Sequence, residues 1–356
     1  MFLRNSWYVA AWGNEIARMA MLRRILLGEP VVLYRRTDGK PVALEDRCCH
    51  RHAPLSSGRV RGDNLECGYH GFTYDPSGKC VRIPTQDTIP PNAKVRSYPV
   101  VERHQLVWIW MGDPALADEA LIEDFHWLDD PAWRYRGERL ALPGNYLLLV
   151  ENLCDLTHLP FVHSSSLGNT AIPPKEGPAE VRKDGNAVIV ERWTENVPVT
   201  SYFRAIAGFA RDAIVDRWMH LVFTPPAYVR LDIGAALAGT GARAGDRSKG
   251  VTTRNLNAIT PETEKTSHYF WAQAQNFGTG DPSISDLDFR MTHGAFLEDL
   301  KMIGGQQANI DLDPGVPRVS IATDSGGVQA RRVVEALIAA EKSGTPRRIE
   351  PLPLLP

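Results

Sequence analysis

The sequence has no long apolar run: nowhere in its 356 residues does it approach the roughly 20 consecutive apolar residues a helix needs to cross a bilayer. It is poor in cysteine, with five, too few and too irregularly spaced for a disulfide framework. That scarcity fits a reducing compartment. Excess charge is missing as well. Lys and Arg number 40 against 42 Asp and Glu, a net charge of -2, which gives no electrostatic pull toward nucleic acid or another polyanion. No internal repeat marks a solenoid. The opening, MFLRNSWYVAAWGNEIA, has no long apolar core of the secretory-leader kind, so we expect a cytoplasmic protein. What is present is ordinary for a globular chain, 43% hydrophobic and 23% charged. The length allows two domains, each with its own core.

Four residues stand out against this background. Cys48-x-His50 and Cys67-x-x-His70 form two matched arms with sixteen residues between them. Thiolates are soft donors and imidazoles borderline, so such a set holds either one zinc or a cluster of two unlike irons. A zinc finger groups its cysteines in one arm and its histidines in the other. Here each arm carries one of each. That division suits a [2Fe-2S] centre with both thiolates on one iron and both imidazoles on the other, and the imidazoles raise its reduction potential. A structural zinc site is the competing reading.

Short β-branched runs broken by Gly, Pro and Asp fill the first third of the chain, among them Pro30–Tyr34, Pro41–Leu44 and Leu106–Trp110. They predict an antiparallel β domain, with a hairpin turn at Asp75-Pro-Ser-Gly78. Met111-Gly-Asp-Pro-Ala115 punctuates the chain, placing a boundary between domains 1–112 and 113–356. The second domain is expected to hold an antiparallel sheet, with strands near Ala187–Val190, Ala227–Ile233, Asn255–Ile259 and His268–Ala272, covered by helices at 286–309 and Gly326–Ser343. The fold class is therefore α+β. The Gly- and Ala-rich stretch Ala235–Gly250 reads as a loop, and the Pro-rich tail 346–356 as extended chain.

Residues 145–163 carry a second constellation, Asn152-x-x-Asp155-x-x-His158-x4-His163. The first three recur at three-residue spacing, a polar stripe in an apolar helix. His158 and His163 point about 140° apart on an ideal helix. Pro160 breaks the turn between them, which could bring the rings together. A carboxylate from elsewhere would complete the two-His-one-carboxylate face of a non-haem Fe(II) site. The candidates are Glu298 and Asp299, which point about 100° apart, so that only one faces the site comfortably. Ala295, Ile303 and Gln306 share the Asp299 face.

Taken together, these three groups of residues resemble the oxygenase component of Rieske non-haem iron monooxygenases over nearly the whole chain. RNSWYVAAW, YPVVERHQLVWIWMGDPALAD and DSGGVQARRV are similar in style to the group of vanillate O-demethylase, toluenesulfonate methyl-monooxygenase and dicamba O-demethylase. The resemblance implies a Rieske [2Fe-2S] domain followed by a mononuclear iron domain. It implies His158, His163 and Asp299 as iron ligands, Asp155 as a bridge between the two metal centres, and Asn152 close to the iron. It further implies a homotrimer supplied with electrons by a separate flavin and iron–sulfur reductase. Three departures from the family pattern are Glu151 where relatives often have Asp, Cys49 where Pro is frequent, and Gly304-Gly305 inside the long helix.

The expected reaction uses O2 for oxidative O- or N-dealkylation, or methyl hydroxylation, of a small aromatic compound. Two alternatives remain: a ring-hydroxylating dioxygenase, which shares both metal motifs, and a Rieske-type electron carrier, disfavoured by the residues that follow the first domain. By residue type, Trp218, His220, Asn257, Trp271 and Arg290 are the candidates for the substrate pocket, with Tyr202 and Phe203 beside them. Arg204 and Arg217 join Arg290 as candidate readers of an anionic group.

Overall fold

The computed structural model describes residues 1–164, 167, 179–345, 349 and 351–352. The chain divides into two compact units. One comprises Met1–Ile122 with Thr260–Glu264 and Ala340–Glu350; the other comprises Glu123–Ile259 with Lys265–Ala339 and Pro351–Pro356. Of the Pro-rich tail, only 349, 351 and 352 lie within the described residues. Among the described residues no helix is long and apolar enough to cross a membrane.

The first unit is β-rich. Trp7–Trp12, Leu106–Trp110 and Val100–Arg103 form one sheet. Met21–Leu26, Glu29–Arg35, Pro41–Glu45 and Ser97–Tyr98 form a second, and Arg59–Arg61, Asn64–Glu66, Thr73–Tyr74 and Cys80–Arg82 a third. The Asp75–Gly78 turn forms as expected: Gly78 N–H donates to the Asp75 carbonyl at 2.9 Å. Gly78 takes the left-handed φ of 82° that favours glycine. Val32, Tyr34, Leu44, Leu55, Leu65 and Tyr74 make a buried apolar cluster that includes Cys48 and Cys67.

The second unit is built on a seven-stranded sheet. Its order is Arg134–Leu142, Ser267–Gln275, Gly250–Pro261, Tyr228–Leu237, Ile214–Thr224, Ala187–Pro198 and Glu180–Asp184. The strands outrun their expected lengths. The stretch expected as a loop from Ala235 begins inside a strand, with Ala235 paired to Arg217 and Val251. The helix Pro282–Leu312 packs on the Arg134–Leu142 and Ser267–Gln275 strands. It runs unbroken through Gly304-Gly305. A Cβ on Gly304 would sit 3.1 Å from Pro143 Cγ, so this glycine admits the proline at close range.

The stretch expected as one helix with a break at Pro160 is two helices, Tyr146–Leu153 and Leu159–Val162. The first stops earlier than expected because Asp155 Oδ1 accepts from the Thr157 N–H at 2.7 Å and its hydroxyl at 2.6 Å. This local turn competes with helical pairing. Pro160 lies in the first turn of the second helix, where its missing N–H costs nothing.

The helix Ser325–Lys342 braces this segment. Glu151 pairs with Arg331 and, at 3.3 Å, with Arg318, so the departure at position 151 is an anchor for the last helix. Gly326 and Gly327 allow the approach: a Cβ on Gly326 would lie 2.7 Å from the Cys154 carbonyl oxygen. Gly326→Ala would gain at most about 1 kcal/mol of helix propensity. It would cost roughly 1–3 kcal/mol in overpacking against backbone that cannot turn aside. We expect a net loss of stability and a melting temperature lower by a few degrees in calorimetry.

Candidate metal centres

The two Cys/His arms fold alike. In the first, Cys48 N–H donates to the Ala53 carbonyl and His52 N–H to the Cys48 carbonyl, both at 2.9 Å. In the second, Cys67 N–H donates to the Phe72 carbonyl at 2.8 Å and Gly71 N–H to the Cys67 carbonyl at 3.0 Å. The residue that closes each turn, His52 or Gly71, has a positive φ of 56° or 73°. Gly58 and Gly68 let the arms meet: a Cβ on Gly68 would lie 2.6 Å from the Ser57 carbonyl oxygen.

Both cysteines are buried, while His50 and His70 are exposed, with ring centroids 4.6 Å apart. His50 also stacks on Phe72 at 4.8 Å. Desolvation, then His70 and Arg51, hold the His50 imidazole below its ordinary pKa, in the neutral form a metal requires. Burial, reinforced by Cys48, pushes the Cys67 thiol up. Two adjoining buried thiolates need a cation to neutralise them, so this donor set fits a metal cluster. The Tyr74 hydroxyl lies 3.1 Å from Cys48 Sγ and 3.2 Å from Cys49 Sγ, and it accepts from the Cys49 N–H.

In the second unit His158, His163 and Asp299 converge, their donor atoms all within 4.8 Å of one another. Asp299 Oδ1 lies 3.3 Å from His163 Nε2 and 3.6 Å from His158 Nε2, and it accepts from Asn152 Nδ2 at 3.0 Å. The short second helix turns the two rings to a centroid separation of 5.1 Å. Glu298 is not turned away as expected. Its Oε2 lies 2.9 Å from His163 Nδ1, on the far side of the same ring. The two adjacent carboxylates thus take opposite nitrogens, and Nε2 is the one left toward Asp299. Gln306 is exposed; its neighbour Gln307 is the buried one and accepts from the Asn145 N–H at 2.9 Å.

Asp299 is 2% exposed, and a buried carboxylate demands a cationic partner. Burial lowers the His158 pKa, with Asp299 opposing. Burial also works against the His163 imidazolium, but Asp299 and Glu298 outweigh it and leave its pKa raised. His158 Nδ1 and Asn152 Oδ1 are buried without a hydrogen-bond partner among the described residues. These residues fit a divalent metal held on one face.

The triad lines part of an apolar cavity. Strand parity decides what lines it, because alternate side chains point to opposite faces. Arg217, Met219, Leu231, Ile233, Asn255 and Gln273 share the lined face, and Tyr202, Phe203 and Phe296 add aromatic walls. The five residues chosen by type do not line it, and that expectation is corrected. Trp218 and His220 have the other parity: Trp218 bonds Asp232 at 2.8 Å, and His220 Nδ1 lies 3.2 Å from Arg247. Asn257 donates to the Val229 carbonyl at 2.9 Å and accepts from the Tyr269 hydroxyl. Trp271 is covered by Phe289 and Phe296, with ring centroids 5.1 and 4.9 Å away. Arg290 is exposed and Arg204 lies outside the lining, which leaves Arg217 as the one guanidinium among the described lining residues.

A metal must displace the proton that the carboxylates favour on His163. Apparent Co(II) affinity is therefore expected to rise with pH through the raised His163 titration. Glu298→Gln should move that rise to lower pH and weaken binding about tenfold at pH 8, because the ring loses its orienting partner. Co(II) titrations followed by visible absorption check both effects.

Two family matches cover most of the chain: the Rieske [2Fe-2S] domain over residues 6–99, and the vanillate O-demethylase oxygenase C-terminal domain over residues 142–340. The iron–sulfur subunit of the toluene-4-sulfonate monooxygenase system of Comamonas testosteroni is 44% identical over 97% of this chain and 99% of its own length. The vanillate O-demethylase oxygenase subunit of a Pseudomonas strain is 39% identical, with 96% of each chain covered. A crystal structure of dicamba monooxygenase with non-haem iron and dicamba superposes with a TM-score of 0.78 at 32% identity, covering 96% of this chain and 99% of that one. A β-rich cluster-binding unit, a sheet-and-helix unit carrying the His–His–Asp triad, and these full-length likenesses lead to one family: the chain belongs to the Rieske non-haem iron oxygenases, as the oxygenase component of a multicomponent monooxygenase.

Proposed function

We propose that the enzyme oxidises a methyl or alkyl carbon of a small aromatic anion, with dealkylation as the outcome when that carbon is bonded to oxygen or nitrogen. His158, His163 and Asp299 are the iron ligands in this reading, and Cys48, His50, Cys67 and His70 hold the cluster in a domain spanning 1–112. The catalytic domain spans 113–356. The observation that carries it is the convergence of His158, His163 and Asp299 on the wall of an apolar cavity. Bound there, ferrous iron would activate O2, with electrons delivered singly from the [2Fe-2S] centre.

The chain's own residues do the rest. Arg217 is placed to hold a carboxylate or sulfonate by charge-assisted hydrogen bonds. Phe203, Phe296 and Met219 exclude water and press the ring so that one substituent faces the triad. Asn152 fixes the Asp299 carboxylate, and Glu298 fixes the His163 ring. Asp155, partly exposed beside His158, is read as the bridge to His50 or His70 of an adjacent subunit in a homotrimer. The exposure of His50 and His70 supports that reading. A separate flavin and iron–sulfur reductase supplies electrons. None of the five cysteines is in a disulfide, which fits a cytoplasmic location.

A panel of aryl methyl ethers, N-alkyl anilines and methylarenes, each with an acid group, tests the proposal with a surrogate reductase and labelled O2. Aldehyde or aryl alcohol carrying one labelled atom is the expected product; a cis-dihydrodiol carrying two would contradict it. Arg217→Met should raise KM for such acids about tenfold or more and leave kcat within a few fold, since it removes charge-assisted bonds. Asp155→Asn should keep both metals while slowing reoxidation of a pre-reduced cluster by O2 and substrate, as stopped-flow absorbance would show. Reoxidation at the wild-type rate would remove the bridge from the mechanism.

A further inference from the structure

A chain of buried polar side chains runs from the cavity wall into the core. Asp288, 1% exposed on the long helix, accepts from the Tyr202 hydroxyl at 2.7 Å. The same hydroxyl accepts from Gln273 Nε2 at 3.1 Å, and Gln273 Oε1 accepts from Asn255 Nδ2 at 2.8 Å. Tyr202, Gln273 and Asn255 line the cavity. At its cavity end the chain is incomplete: Asn255 is 2% exposed, and its Oδ1 has no partner among the described residues. Buried polar atoms without partners are rare and mark a place where something else binds.

The direction of the chain is set at the Asp288 end. An ionised carboxylate only accepts, so Tyr202 must give it its single proton. The Tyr202 oxygen is then free to accept, which requires the nitrogen of Gln273 to face it. The oxygen of Gln273 must therefore face Asn255, whose nitrogen answers, and Asn255 is left with an acceptor only. Burial, opposed by Tyr202, Gln273 and Thr292, pushes the Asp288 pKa up to about 6. Above neutrality the group is ionised and the direction holds.

We propose that Asn255 determines specificity by presenting a hydrogen-bond acceptor to the substrate, with Asp288, Tyr202 and Gln273 as positioning residues that impose this polarity, so that the enzyme selects aromatic anions bearing a hydroxyl or N–H donor. The inference rests on the aromatic-anion reading of the cavity and adds a second, neutral point of recognition to it. A substrate without the donor leaves Asn255 Oδ1 buried and unsatisfied, and one whose hydroxyl is capped by a methyl group presents only an acceptor and is disfavoured twice over.

Binding to the holoenzyme by isothermal titration calorimetry at pH 8 is the test. The probes are 4-hydroxy-3-methoxybenzoate, 3-methoxybenzoate without the donor, and 3,4-dimethoxybenzoate with it capped, each also as the sulfonate. The hydroxy compound should bind about tenfold or more tighter than either partner. Asp288→Asn lets position 288 donate, so the chain can reverse and the preference should fall to about twofold or less. Tyr202→Phe, which cuts the chain without altering the helix, should do the same and serves if Asp288→Asn does not fold. Equal binding of the three probes to wild type, or an unchanged preference in both variants, overturns the inference and leaves the aromatic-anion reading standing. If no probe of either series binds, that reading falls and the inference with it.

Discussion

A carboxylate shut away from water with two imidazoles is the constraint on which the catalytic unit depends. Asp299 lies on a long helix among apolar neighbours, and ionising it there is costly unless cationic charge is fixed beside it. Everything around it meets that demand. His163 is caught between Asp299 and Glu298, Asn152 donates to the same Asp299 oxygen, and a short helix starting at Leu159 turns His158 inward. A divalent metal satisfies all these groups at once. Without one, the cluster of donors would be a standing cost to stability that hydrophobic side chains of similar volume would avoid.

The scaffold around the triad answers to the same requirement. The segment from Asn152 to His163 has little regular structure of its own, so its geometry must be imposed from outside. The Asx turn at Asp155 ends the first helix, the close approach of Gly326 and Gly327 seats the last helix against it, and the Glu151–Arg331 pair ties the two together. In the first unit the equivalent device is two turns with the same pair of backbone bonds, pressed together at Gly58 and Gly68. In both units glycines fix where the candidate ligands stand by letting backbone approach backbone.

Much of this was legible in the sequence, for a chemical reason. Metal donors are few in kind and their spacing is constrained, so Cys48-x-His50, Cys67-x-x-His70 and the run from Asn152 to His163 announce themselves. The long helix was legible from its pattern, while Asp299 was preferred over Glu298 only through the family resemblance. The pocket was legible only in part: Tyr202, Phe203 and Arg217, candidates by residue type, do line it. Trp218 and His220 were chosen for their chemistry, but a strand side chain's fate depends on its parity, and parity needs the register of neighbouring strands; Trp271 has the parity of Gln273 and is excluded instead by the cover of Phe289 and Phe296. Arg217 and Met219, one position either side of Trp218, face the cavity instead. The role of Glu298 was missed because adjacent helical residues point apart, whereas two carboxylates can grip opposite edges of one imidazole.

The central claim is that Asp299 holds an iron separate from the cluster, and Asp299→Asn tests it most directly because it removes the charge while keeping the shape. Iron per chain should be measured by plasma mass spectrometry, alongside the visible spectrum of the cluster. The account predicts a fall from about three irons per chain to about two, with the cluster spectrum unchanged and turnover lost. Retention of about three irons together with substrate oxidation in Asp299→Asn would contradict it.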